Sequence, residues 1–177
     1  GGLCKEETII SGLLEGDDVM STAAAMRALG AHIVRGDDGL WRCTGTGTGH
    51  LKQPEKSLDM GNSGTSTRLL AGMVSSHHIT TTFTGDASLS RRPMKRIMEP
   101  LSMMGAHFKC AEDGVLPMTV YGAEKPKPIE YRLPMASAQV KSAVLLAALN
   151  THGVTTVIEG IPTRDHTENM LRHFGVP

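Results

Sequence analysis

Three stretches of this chain share one skeleton: Thr8-Ile-Ile-Ser-Gly12, Thr81-Thr-Phe-Thr-Gly85 and Thr156-Val-Ile-Glu-Gly160. Each reads Thr-x-apolar-x-Gly. A polar loop, an amphipathic helical pattern and a second glycine follow, at Gly30, Gly105 and Gly175. Leu29-Gly-Ala-His-Ile33 and Met104-Gly-Ala-His-Phe108 are nearly the same text. A period of roughly 75 residues exceeds that of helical-repeat solenoids, so the repeating object is a supersecondary unit used about three times.

Within a unit the elements follow from periodicity. Val19, Ala23, Met26 and Leu29 lie at helical spacing behind Asp17-Asp18, and Gly30 fits a left-handed helix cap. His32–Arg35, the turn Asp37-Asp38-Gly39 and Leu40–Thr44 then read as a hairpin. The second unit predicts a helix from Pro93 to Met104, a strand over Ala106–Ala111, a turn at Glu112-Asp113-Gly114 and a strand over Leu116–Tyr121. Pro100 is expected to kink or weaken that helix. A second helix type, Thr65–Ser75 and Ala136–Leu149, precedes the repeated strands and carries Leu, Met and Val stripes that read as core faces. The unit is thus helix, strand, helix, hairpin, with the first unit's opening helix missing. The class is α/β, with units packed about a common axis.

Composition narrows the function. In 177 residues, 18 Lys+Arg balance 18 Asp+Glu. A nucleic-acid binder needs surplus cations to displace counterions, and six aromatics make no base-stacking platform. No apolar run approaches the ~20 residues of a membrane span. Cys4, Cys43 and Cys110 stand far apart, as reduced thiols of a cytoplasmic protein would. The eight histidines are scattered, and His77-His78 reads as a loop or strand edge.

Four helix starts carry polar donors. Gly61-Asn-Ser-Gly-Thr-Ser-Thr-Arg68 has short side chains, free N–H groups and a glycine permitting close approach, the makings of an anion site. Capping by Ser63 or Thr65 is the favoured reading of this motif in isolation. Ser137-Ala-Gln-Val-Lys141 offers a hydroxyl and an amide; a simple cap plus a solvated Lys141 explains it equally well. Arg91-Arg92-Pro93 and Thr163-Arg164-Asp165-His166 fall in matching loops. Either Arg alone could serve a surface ion pair, but recurrence suggests convergence on one end of the domain and a small multi-anionic ligand.

Four segments together resemble the 5-enolpyruvylshikimate-3-phosphate synthases, in order over almost the whole chain. They are Leu58-Asp-Met-Gly-Asn-Ser-Gly-Thr-Ser-Thr-Arg-Leu-Leu-Ala-Gly72, Gly85-Asp-Ala-Ser-Leu-Ser-Arg-Arg-Pro-Met94, Pro134-Met-Ala-Ser-Ala-Gln-Val-Lys-Ser-Ala143 and Pro162-Thr-Arg-Asp-His-Thr-Glu168. The resemblance implies an alpha-beta prism of βαβαββ units around a pseudo-threefold axis, in two such domains, of which residues 1–177 supply most of one. It implies transfer of the enolpyruvyl group of phosphoenolpyruvate to the 5-hydroxyl of shikimate 3-phosphate, releasing phosphate, with no metal or organic cofactor. Gly64, Arg92 and Gln139 match phosphoenolpyruvate contacts, supported by Asn62 and Thr65. Ser137, Ala138, Gln139 and Arg164 match the shikimate-3-phosphate site.

The same resemblance places the acid and base groups largely in a partner domain, and a Lys-Ser…Arg set just upstream of Gly1. The expectation is therefore a monomeric, cytoplasmic transferase represented by a fragment that is inactive alone and whose first strands lack helical cover. Two other readings stand beside it. The UDP-N-acetylglucosamine enolpyruvyl transferases share the implied fold but carry a Cys where this chain has Ala87. A non-catalytic anion-binding module would also suit the residues present. Glyphosate-insensitive relatives can carry Ala in place of Gly64, so glycine predicts an unobstructed pocket.

Overall fold

Helix termination repeats three times with the same hydrogen bonds. In the computed structural model, which describes residues 1–176, α1 (Asp17–Ala28), α3 (Lys95–Met103) and α5 (His166–His173) each run into a glycine with positive φ. Gly30, Gly105 and Gly175 have φ of 105°, 106° and 78°. Their N–H groups reach back to Arg27, Ser102 and Arg172, while Ala31, Ala106 and Val176 donate to Met26, Leu101 and Leu171. That pairing is the Schellman cap, whose left-handed residue glycine adopts without a Cβ clash.

Three sheets follow from the three units. The first comprises β1 (Thr8–Ile10), β2 (His32–Arg35) and β3 (Trp41–Thr44) in the order β1-β3-β2, antiparallel throughout. The second comprises β4 (Leu58–Asp59), β5 (Thr80–Thr84), β6 (His107–Cys110) and β7 (Met118–Tyr121), ordered β4-β5-β7-β6. The third pairs β8 (Glu130–Arg132) with β9 (Thr156–Ile158) in parallel. Helices α2 (Gly64–Ser75) and α4 (Ala138–Ala148) connect β4 to β5 and β8 to β9. The middle unit is a complete βαβαββ motif, and the outer two match its parts. The fold class is therefore α/β, in repeated units around a pseudo-threefold axis.

Three expectations from the residue pattern need correction. The unit opens with a strand, not a helix; β4 and β8 are two and three residues long, too short for alternation to register. Helix α3 begins at Lys95, because Leu89–Arg91 forms a separate 3₁₀ turn and Met94 is the cap. The helix also continues through Pro100, whose ring is buried. In so short a helix proline forfeits one intrahelical bond, and core packing of Ile97 and Leu101 on either side holds the turn.

The core sits where α2 and α4 cross over the sheets. Phe83, Met118 and Val120 point inward from β5 and β7, against Val74, Ile97, Leu101 and Val144. The α2–α4 crossing is close because Gly72 lies on Ala143: a Cβ at Gly72 would fall inside the Ala143 backbone. No described helix is long and apolar enough to cross a membrane.

His77 lies between α2 and β5, as a loop residue, yet it is buried. Its Nε2 accepts from Gly49 N–H at 3.1 Å, so its Nδ1 must carry the proton that meets the Met73 carbonyl at 2.9 Å. Burial pushes its pKa down, against the Met73 bond, and nearby His50 adds to the shift. A histidine held neutral in the fold contributes stability that is full above its ordinary value near 6.5 and lost as pH falls toward the depressed one. Melting temperatures of wild type and His77→Gln measured from pH 7.5 down to 5 should therefore converge as pH falls. Parallel profiles would rule out this contribution.

Candidate functional site

The parallel pairs β4/β5 and β8/β9 set where the loops go. The carboxyl ends of parallel neighbours lie at one sheet edge, so the helices that follow them start side by side there. By topology the starts of α2 and α3 share one edge of the second sheet and those of α4 and α5 one edge of the third, and side-chain bonds show which of them meet.

Arg68, four residues after Gly64 on α2, links three starts. Its guanidinium donates to the Gly64 carbonyl at 3.2 Å, to Gln139 Oε1 on α4 at 3.0 Å and to the Pro93 carbonyl at 3.0 Å. Gln139 closes the loop by donating to Thr65 Oγ1 at 2.9 Å. Arg92 donates to Asn62 Oδ1 at 2.6 Å and to the Asn62 carbonyl at 3.3 Å. Asn62 in turn donates to Asp86 at 2.7 Å. The bond from Leu89 N–H, then that from Asn62, holds the Asp86 carboxyl below its ordinary range. Asp86 is thereby committed to shaping the 86–89 turn.

A cavity of about 300 Å³ opens between these loops, walled by Arg68, Arg92, Arg96, Ser137, Gln139 and Val140. Among the described residues, none of its three arginines makes an ion pair with a carboxylate. Burial, then the like charges of Arg92 and Arg96, pull the Arg68 pKa down, the mark of cations gathered in one place. Three guanidinium forks facing one cleft at helix starts suit phosphate or carboxylate. A larger apolar cleft, about 510 Å³, runs past Leu69, Met73, Leu146 and Phe174; it offers no comparable charge.

The residues singled out from sequence divide into groups. Arg92, Gln139 and Ser137 line this cleft, while Asn62 bonds Arg92, Thr65 bonds Gln139 and Gly64 lies against Arg68 and Arg92 behind it. Ala138 opens α4 but does not line the cavity, and Arg164 stands exposed in the loop before α5. Ser63 and Ser137 both cap their helices, accepting from Ser66 N–H and Val140 N–H, so capping and proximity to the cleft coexist. Gly64 is buried where a Cβ would stand 3.0 Å from Arg68 Nη1 and 3.2 Å from Arg92 Nη1. Residue reasoning missed Arg68 and Arg96 as wall residues. For Arg68 the available signal was i+4 spacing, which puts it over Gly64; Arg96 gave none, because Arg92 lies in extended backbone ahead of α3.

Lys141 overturns an expectation: it is not solvated. Its side chain is 4% exposed, and Nζ lies 2.8 Å from Glu159 and 2.6 Å from Glu168. Burial opposes the ammonium, but the bonds to the two carboxylates outweigh it and its pKa rises. Lys141 followed by Thr163 holds the Glu159 carboxyl below its ordinary value.

Comparison with known proteins now bears on this arrangement. The family described as EPSP synthase (3-phosphoshikimate 1-carboxyvinyltransferase) matches residues 1–177. The chain belongs to the EPSP synthase family. A 3-phosphoshikimate 1-carboxyvinyltransferase of Novosphingobium aromaticivorans is 66% identical over 175 residues, covering 99% of this chain and 40% of the relative. That of Zymomonas mobilis is 63% identical over 169 residues, 96% of this chain and 37% of the relative. An EPSP synthase structure from Acinetobacter baumannii superposes with a TM-score of 0.93 at 49% identity, over 99% of this chain and 40% of that one. The chain thus spans about two fifths of the length of its EPSP synthase relatives.

Proposed function

We propose that the full-length protein containing this chain transfers the enolpyruvyl group of phosphoenolpyruvate to the 5-hydroxyl of shikimate 3-phosphate. The hydroxyl gives up its proton to a base as its oxygen adds to C2 of phosphoenolpyruvate and an acid delivers a proton to the methylene carbon. The tetrahedral adduct then loses a methyl proton and inorganic phosphate. The observation that carries this reading is the cleft where three guanidiniums in no ion pair meet the starts of α2 and α4, in a chain of the EPSP synthase family. In this reading Gly64, Arg92 and Gln139 receive phosphoenolpyruvate, with Asn62 holding Arg92 and Thr65 holding Gln139. Ser137, Ala138, Gln139 and Arg164 receive shikimate 3-phosphate, and the acid–base groups come from a second domain. Both substrates carry phosphate and carboxylate, which suits bidentate donors.

Product formation by the purified full-length protein tests this. Phosphate release should require both substrates together. Release with UDP-N-acetylglucosamine in place of shikimate 3-phosphate, or with neither acceptor, would overturn the assignment.

Gly64 makes a separate test. A methyl there presses on both Arg68 and Arg92, so Gly64→Ala in the full-length protein should weaken glyphosate inhibition. The inhibition constant should rise about tenfold, which is about 1.4 kcal/mol. Equal inhibition constants for wild type and variant would refute it.

A further inference from the structure

Residues 160–165 connect β9 to α5 and carry Arg164. Among the described residues, no N–H of this segment bonds another main-chain group. It nevertheless borders the start of α4: Gly160 and Ile161 share a cleft of about 260 Å³ with Leu133, Pro134, Met135 and Ala136. What fastens it is a partly buried side-chain network centred on the buried Lys141. Glu159, at its near end, takes Lys141 Nζ and the Thr163 hydroxyl. Glu168, just beyond its far end, takes the same Nζ, and Thr167 pairs with Ser142 at 2.7 Å.

We propose that Lys141 is a positioning residue for the ligand site, its ammonium clamping the two ends of the 160–165 loop so that Arg164 stands at a set place beside the start of α4. Lys141 is suited to this because it works in two directions. Its backbone N–H bonds the Ser137 carbonyl, in the first turn of α4, while its side chain reaches both glutamates. Ser137 and Arg164, on separate helix starts, are thereby referenced to one residue. A buried ion pair adds little net stability over an apolar isostere of similar volume, so geometry is the property a charged residue supplies here. Thr163, bonded to Glu159 from within the loop, extends the clamp to the residue beside Arg164.

The consequence for substrate rests on the proposed function, in which Arg164 meets shikimate 3-phosphate. The experiment uses the full-length protein with Lys141→Met, Lys141→Arg and Thr163→Ala, and has two readouts. In steady-state kinetics, Lys141→Met should raise KM for shikimate 3-phosphate about tenfold, because small displacements of a binding group are costly. KM for phosphoenolpyruvate and kcat should stay close to wild type, Thr163→Ala should show a smaller rise in the same KM, and Lys141→Arg should recover most of the loss. Separately, trypsin should cut after Arg164 faster in Lys141→Met and Thr163→Ala than in wild type, which needs no assumption about the reaction. Wild-type KM and cleavage rate in folded Lys141→Met would overturn the clamp; if that variant does not fold, the same result in Thr163→Ala overturns it. So would a fall in kcat with both KM values disturbed alike, the signature of general damage. Absence of turnover in wild type defeats the proposed function instead, and the cleavage rates still decide the clamp.

Discussion

Lys141→Met should lower the unfolding free energy by about 3–5 kcal/mol, the usual cost of removing one partner from a buried ion pair. The methionine fills similar volume, so the loss comes from charge. Glu159 and Glu168 would share a site with no cation, and Glu168 Oε2 is buried without a hydrogen-bond partner even in the wild type. Chemical denaturation measures this directly. A loss below about 1 kcal/mol, the range of surface pairs, would mean that solvent relaxes the site. Removing the unpaired charges as well, in Lys141→Met/Glu159→Gln/Glu168→Gln, should restore much of the stability.

The pH dependence has two limbs. Lys141 has a raised pKa, so its contribution is full below the ordinary lysine value near 10.5 and disappears as pH rises through the folded one. Glu159 has a lowered pKa, so its contribution is full above the ordinary value near 4.5 and disappears as pH falls through the folded one. Between these limits the clamp is intact.

Arg92→Ala in the full-length protein should weaken phosphoenolpyruvate binding by about 1.5–3 kcal/mol, the range for hydrogen bonds to charged groups. The guanidinium also holds the 61–63 loop through both Asn62 oxygens, so its removal loosens the start of α2 as well as deleting a donor. Titration calorimetry with phosphoenolpyruvate reads the effect, and unchanged affinity would refute the assignment. Asn62→Ala separates the two causes. It leaves the cation in place but frees its fork, and should produce a smaller loss than Arg92→Ala.

Much of the fold was legible because its signals are local. Glycines at Schellman caps, acids in the first turn of α1 and alternation in the hairpins act within a few residues of where they stand. The recurrence of Gly30, Gly105 and Gly175 exposed the unit itself. What escaped was of two kinds. β4 and β8 are strands only because a parallel neighbour pairs with them, so their few residues show no period of their own. The fates of Lys141, Arg68 and Arg96 depend on which elements close over them, and a cation in a helical pattern reads as solvated until its neighbours are known.

By itself, the sequence determined the α/β class, the repeated unit, the helix starts rich in donors and the family motifs that run through them. These are properties of short segments, set by backbone sterics, periodicity and capping. Only the tertiary structure decided that Arg68 joins the starts of α2, α3 and α4, that three arginines in no ion pair face one cleft, and that Lys141 is buried between two glutamates. The physical reason is that charge and burial are set by partners distant in the chain. Electrostatic energy depends on distance and dielectric, and both are undefined until the units pack.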